Sequence, residues 1–173
     1  MKRLSIIFVI LVAFSLSYAE NTKDKNKEQF KHVVKGNVEN IKISIGSPES
    51  LIVRTYGEPL WRGYLSGGLG YFFDDFGFFT DSTTIAVTSI HIFKKGLLIG
   101  GIKIGTKLSK IRKLLGKPTF YGFVSSEEGE EIHPDKWLLV YNLGEYLLFY
   151  AADKKDGIST SGELRKNFEC MSN

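Results

Sequence analysis

Residues 43–64 and 102–123 lie over one another without a gap, at a constant offset of 59 positions. The first stretch reads ISIGSPESLIVRTYGEPLWRGY and the second IKIGTKLSKIRKLLGKPTFYGF. Eight positions are identical: Ile43/Ile102, Ile45/Ile104, Gly46/Gly105, Ser50/Ser109, Ile52/Ile111, Gly57/Gly116, Pro59/Pro118 and Gly63/Gly122. Average composition gives about one or two by chance. Ser47/Thr106, Arg54/Lys113, Trp61/Phe120 and Tyr64/Phe123 agree in kind. Self-similarity at a fixed period means one supersecondary unit used twice, and no other feature constrains the fold as much.

Each copy has the same grammar. Ile-x-Ile-Gly is a short extended lead-in, and Ser47 or Thr106 stands where it would cap a following helix. In the second copy Leu108, Ile111, Leu114 and Leu115 share one helical face, with Lys107, Lys110, Arg112, Lys113 and Lys117 on the rest, a solvated side rather than an anion site. Gly57 and Gly116 stop the helices, with Pro59 and Pro118 just beyond. After each helix the period changes to two. Trp137–Tyr141 and Tyr146–Tyr150 flank a turn at residues 142–145, and Tyr71–Phe73 and Phe78–Phe79 flank one at 74–77. A β-rich run from Thr84 to Phe93 closes the first copy, and a weaker one from Ile158 to Leu164 closes the second.

These patterns predict an α+β fold of two tandem helix-then-antiparallel-strand repeats, forming one largely continuous sheet with helices on one face. The expected divisions are a signal peptide at 1–19, a tether at 20–29, a first repeat with a short leading helix at 30–96, a second repeat at 97–168 and a tail at 169–173. Lys2 and Arg3, the apolar run Leu4–Leu16 and Ser17-Tyr18-Ala19 carry the signal-peptide reading. An uncleaved anchor is the competing one, but the run is short for a bilayer span. With Glu20 rather than a Cys directly after the site, a lipoprotein is not expected. The destination is therefore secreted or extracytoplasmic in a bacterium, with no stable membrane insertion after cleavage.

Composition excludes several classes. The chain has 173 residues, 43% hydrophobic and 13% aromatic, too many for disorder. The net charge is +4, and removal of Lys2 and Arg3 leaves 21 basic against 19 acidic residues, too mild an excess for a nucleic-acid binder. Cys170 is the single cysteine, so an internal disulfide is impossible and the core must supply the stability.

The doubled IxIG…GxP motif with aromatic strands between resembles the tandem α/β repeat of the β-lactamase-inhibitor-protein-like superfamily. It is similar more closely to the YjgB-like family of uncharacterised secreted Bacillus proteins. Lys35-Gly36, Ile43-Ser44-Ile45-Gly46, Gly57-Glu58-Pro59 and Gly67-Gly68-Leu69-Gly70-Tyr71 carry the likeness over about residues 33–165. The resemblance implies a concave sheet used as a protein-binding surface without catalytic residues. The Cys pairs of the inhibitors are absent here, which speaks against β-lactamase inhibition itself.

Alternation assigns Leu138, Val140, Leu147 and Phe149 to the core, and Trp137, Tyr141, Tyr146 and Tyr150 to the outside. Ile90 and Ile92 point inward, with Ser89, His91 and Phe93 outward; Tyr71–Phe79 fits either parity. The expected partner-binding residues are thus Trp137, Tyr141, Tyr146, Tyr150, His91 and Phe93, large rings with polar tips of the kind favoured at recognition surfaces. The competing reading is that these rings cover one another or a terminal segment. No catalytic residue, metal site or cofactor is expected. His32, His91 and His133 are far apart in sequence, and no nucleophile elbow, HExxH or CxxC occurs. The Glu127–Glu131 cluster lacks the ligand spacing of a calcium loop, and Gly67–Gly70 leads into a strand rather than a phosphate-binding helix. The expected function is a secreted or envelope non-enzymatic binding protein with a protein partner, possible inhibition included. The alternative is an envelope enzyme or small-ligand carrier, with a pocket between sheet and helices at His91 or His133. Assembly through a sheet edge or Cys170 is a third option, and the sequence leaves the oligomeric state open.

Overall fold

The computed structural model describes residues 30–65, 67–125 and 135–168. The expected signal peptide and tether, the Glu127–Glu131 cluster, His133 and Cys170 lie outside those residues.

A 3-10 turn at Val33–Lys35 takes the place of the leading helix and ends at Gly36, whose φ of 72° is left-handed. Helix α1 (Ser50–Tyr56) is followed by β1 (Trp61–Leu65), β2 (Gly68–Phe72), β3 (Phe76–Asp81) and β4 (Ala86–Ile92). A small hairpin, β5 (Leu98–Ile99) with β6 (Ile102–Lys103), leads to α2 (Leu108–Leu115). Then come β7 (Phe120–Val124), β8 (Lys136–Asn142), β9 (Tyr146–Ala152) and β10 (Ser161–Lys166). The class is α+β: eight strands form one antiparallel sheet in the order β1-β2-β3-β4-β10-β9-β8-β7, and β5–β6 form a second. The last strand of each run, β4 and β10, meet in the middle, so β1 and β7 are the two edges. No helix among the described residues is long and apolar enough to cross a membrane.

The joints on either side of this seam have matching geometry. Pro48 bridges Ala86, and Lys107 bridges Ile158. Gly46 N–H donates to the Val87 carbonyl at 2.8 Å, and Gly105 N–H to the Ser159 carbonyl at 2.9 Å. Gly46 and Gly105 have φ of 87° and 100°, where an L side chain would be strained. The IxIG turn therefore needs its glycine in both places.

Ser47 and Thr106 do not cap the helices as expected. Ser47 Oγ accepts from Ser44 N–H at 3.3 Å, and Thr106 Oγ1 donates to the Lys103 carbonyl at 2.7 Å. Both hydroxyls tie the IxIG turn. The helices begin later because Glu49 N–H and Leu108 N–H bond to the carbonyls of Ile85 and Gly157, on the approaches to β4 and β10. Backbone from the adjoining strand thus satisfies donors that a side chain would otherwise meet.

Both helices cover the same side of the sheet. Ile52 of α1 and Leu108, Ile111 and Leu115 of α2 join one core with Phe78, Ile90, Ile92, Leu139, Leu148 and Leu164. Ile90 and Ile92 are fully buried, as alternation requires. The parity left open in β2–β3 is now fixed. Tyr71 and Phe78 face the helices, where Tyr56 of α1 packs 5.7 Å from the Phe78 ring. Phe72 and Phe79 face the other way.

Candidate functional site

The side of the sheet away from the helices is lined by one continuous cross-strand row. Pairing runs Trp61–Phe72–Gly77–His91–Glu163–Phe149–Val140–Phe120, one residue from each of the eight strands. Directly opposed residues on neighbouring strands share a face, so all eight look outward together. A trough of about 740 Å³ opens along this side, with Trp61 and Leu65 of β1 at one end and Lys136 and Leu138 of β8 at the other.

Glycines allow the rings to lie flat. A Cβ on Gly63 would come within 2.4 Å of the Trp61 ring, and one on Gly70 or Gly77 within 2.9 Å of Phe72. With those positions bare, Phe72 packs 5.4 Å from Trp61, 5.6 Å edge-on to Phe79 and 5.8 Å stacked with Phe93. The His91 ring continues the cluster, 5.0 Å from Phe79 and 6.1 Å from Phe93.

At the seam this apolar lining contains a buried polar network. His91 and Glu163 are 5% and 3% exposed although they stand on the open face, because the rings and Arg165 overhang them. His91 Nε2 lies 3.0 Å from Ser89 Oγ and 3.4 Å from Glu163 Oε1. Arg165 Nε donates to Glu163 Oε1 at 2.6 Å and Nη2 to Oε2 at 3.0 Å, while the guanidinium sits 5.1 Å from the Phe149 ring centre. A Ser–His–carboxylate relay needs the serine and the acid on opposite ring nitrogens. Here both approach Nε2, and Ser89 is itself buried. The arrangement pairs the buried Glu163 carboxylate with Arg165 and gives the buried polar groups partners, as burial requires.

His91 and Phe93 stand on the open face, where the sequence reading put them. The other four expected residues do not. Trp137, Tyr141, Tyr146 and Tyr150 turn toward the helices, and Leu138, Val140, Leu147 and Phe149 take the open side. The parity of the β8–β9 hairpin is thus the reverse of the expectation. Tyr150 is fully buried and donates to the Ile99 carbonyl at 2.7 Å; burial pushes its pKa well above the ordinary 10. Tyr141, 4% exposed, lies 3.4 Å from the Gly116 carbonyl and is raised by burial to about 12. Tyr146 covers Gly36, and Trp137 packs against Tyr121 at 5.6 Å. The Tyr150 and Tyr141 hydroxyls each point to a carbonyl of the layer above, which is what makes burial of these two tyrosines tolerable. The trough also lies on the opposite side of the sheet from the expected pocket between sheet and helices.

A second polar cluster belongs to the helix side. Glu49 accepts from the Tyr71 hydroxyl, from Arg62 Nη2 at 3.1 Å and from Thr80 Oγ1 at 3.4 Å. Burial first, then Glu49, raises the Tyr71 pKa to about 12. This cluster ties α1 to β1–β3. Among the described residues no group of three His, Cys, Asp or Glu is placed to hold a metal ion.

Trp61, Phe72, Phe79, Phe149, Glu163 and Arg165 were not among the expected site residues. A signal for the first three was present: Trp61-x-Gly63, Gly70-x-Phe72 and Gly77-x-Phe79 each put a glycine and a ring on one strand face. Glu163 and Arg165 carried none, since alternate charges in a Gly- and Ser-rich segment read as solvent-facing.

Neither family models nor curated proteins give a match to this chain. Solved structures do. A DUF4309-family protein, YjgB, from Bacillus subtilis superposes with a TM-score of 0.60 at 17% identity, covering 83% of this chain and 97% of that one. An extracellular protein containing an SCP domain from Bacillus anthracis gives 0.54 at 9% identity over 73% of this chain. A cysteine-rich secretory protein from Staphylococcus aureus gives 0.50 at 12% over 71%. The chain spans only 45% and 44% of those two longer proteins. At these identities the likeness is one of fold, and it accords with the YjgB-like resemblance of the sequence.

Proposed function

We propose that this chain is a non-enzymatic binding protein of the extracytoplasmic space, whose open sheet face takes an apolar segment of a protein partner. The row of rings on the side away from the helices carries the reading. A single-layer sheet covered on one side exposes the other, and this chain furnishes that side with the rings of Trp61, Phe72, Phe79 and Phe93 around the Glu163–Arg165 ion pair. Large aromatic anchors around a polar centre match the composition of binding hot spots. The buried Ser89–His91 geometry, unsuited to proton relay, supports the non-enzymatic part. The N-terminal signal-peptide pattern supports the location, and two proteins of like fold are described as extracellular or secretory.

The same proposal includes an origin by doubling of one helix–four-strand unit. Its support is the gapless 59-residue offset together with the matching joints at Pro48/Lys107 and Gly46/Gly105. A protein-gripping sheet is also what the β-lactamase-inhibitor-like resemblance implies.

The test is capture from the native extracellular fraction by wild type and by a Phe79→Ala/Phe93→Ser double variant. Capture of a defined partner should be lost in the variant while its circular dichroism spectrum is unchanged. Undiminished capture by the variant would place the binding surface elsewhere. A carrier of a small apolar ligand is the second reading, favoured by the trough's volume, which falls in the range of about 300–1,000 Å³ typical of small-molecule sites.

A further inference from the structure

We infer that Arg165 makes the trough selective for a protein segment carrying a carboxylate beside its apolar side chains. The inference rests on the reading of this face as a protein-docking surface, and it names the chemistry of what docks.

Arg165 lies in register with Ser89 on one neighbouring strand and with Leu147 on the other, so its side chain enters the trough. Two bonds to Glu163, through Nε and Nη2, fix the guanidinium plane, and the Phe149 ring supports it from 5.1 Å. Two of its three nitrogens are thereby used. Nη1 takes no partner among the described residues, and the side chain is 41% exposed. A guanidinium held in place beforehand loses little freedom on binding, and a planar carboxylate is the group its donors match. The apolar surround strengthens such a bond over its value in water. Among the described residues lining the trough, Lys136 is the other cation, and its ammonium is engaged by Asp153. Arg165, bonded to Glu163 through Nε and Nη2, keeps Nη1 as a donor to read a ligand.

The size of the trough selects a peptide-like occupant. It reaches from β1 to β8, across seven of the eight strands. At about 4.8 Å per strand this is on the order of 30 Å of sheet, the length of about nine extended residues. A purely structural role for Arg165, neutralising buried Glu163, would involve no preference in the ligand.

The experiment pans a random 12-residue peptide library, displayed on phage, against the immobilised full chain. Selected peptides should combine large apolar residues with an Asp or Glu. Replacing that acid by its amide in a synthetic peptide should weaken binding about tenfold, the scale of one charge-assisted hydrogen bond. Arg165→Lys should weaken the acidic peptide by a similar factor and leave the amide peptide unchanged, the signature of direct coupling. The acid-to-amide comparison needs no protein variant, so the inference stays testable even if Arg165→Lys folds poorly. Apolar peptides with no acid preference, or an equal loss for both peptides on Arg165→Lys, would overturn the carboxylate inference and leave the docking reading standing. Selection of neither apolar nor acidic residues would overturn both.

Discussion

The two faces of the eight-stranded sheet are both rich in large apolar side chains, and they finish them differently. Toward the helices, Tyr71, Phe78, Leu139, Leu148 and Tyr150 are closed over. Their hydroxyls bond inward, Tyr150 to the Ile99 carbonyl and Tyr71 to Glu49. On the open side the rings rest on glycines and on one another, and Trp61 and Phe93 stay 45% and 37% exposed. A polar tip on a ring therefore does not mark the wet face of this sheet. A tyrosine is buried where its hydroxyl meets an acceptor, while plain phenylalanines line a surface wherever no second layer covers them.

Phe78 and Phe79 put this contrast within two residues of β3. Phe78 is fully buried beneath α1, so Phe78→Ala should cost about 3–5 kcal/mol of unfolding free energy, through lost transfer energy and the cavity left behind. Phe79→Ala removes a half-buried ring from the open face and should cost about 1 kcal/mol or less, while weakening partner capture. Urea unfolding of both variants measures the difference. Equal costs would mean that the open face is as closed as the other. By the same logic, replacing Trp137, Tyr141 and Tyr146 by Ala together should unfold the chain.

Much of this architecture was readable in advance. The offset of 59 residues marked both helices, and the Asn142–Glu145 and Asp74–Gly77 segments marked turns that close the β8–β9 and β2–β3 hairpins. The parity of β8–β9 was not readable, because Trp137-Leu-Leu-Val-Tyr141 offers apolar side chains to both faces, and period two then gives no contrast. The deciding contacts, Tyr150 to Ile99 and Tyr141 toward Gly116, join residues 51 and 25 positions apart. Nor did any local pattern announce β5–β6 or the meeting of β4 with β10, which sets Glu163 opposite His91. The face of His91 and Phe93 was legible because they alternate with the buried Ile90 and Ile92; that His91 is itself buried there was not.

A finer probe of the covered face is Tyr150→Phe. It keeps the ring and removes the donor to the buried Ile99 carbonyl, for an expected loss of about 1–2 kcal/mol. The same tyrosines give the face an alkaline limit. Tyr71 and Tyr141 are raised to about 12 from 10.0, so between these values the unfolded chain releases protons that the folded chain retains. Their contribution is fully present below pH 10, falls as pH rises toward 12, and levels off above it. Urea midpoints from pH 9 to 12 should show this decline, and Tyr141→Phe should make it shallower. A midpoint that does not move over that range would show that the phenols are not protected by burial.

The smallest effect is expected where the helix-side parity runs out of helix. Tyr64 pairs with Leu69 and so belongs to the same face as Tyr71, yet it sits near the end of an edge strand and is 81% exposed. If parity alone decided burial, Tyr64→Ser would be costly, as changes at Tyr71 should be. If cover decides it, the substitution should shift stability by no more than about 0.5 kcal/mol, as at other exposed positions. It should also leave partner capture untouched, since the side chain points away from the trough. A larger loss in either measurement would mean that something packs over the outer end of β1, and that the covered face extends further than the two helices carry it.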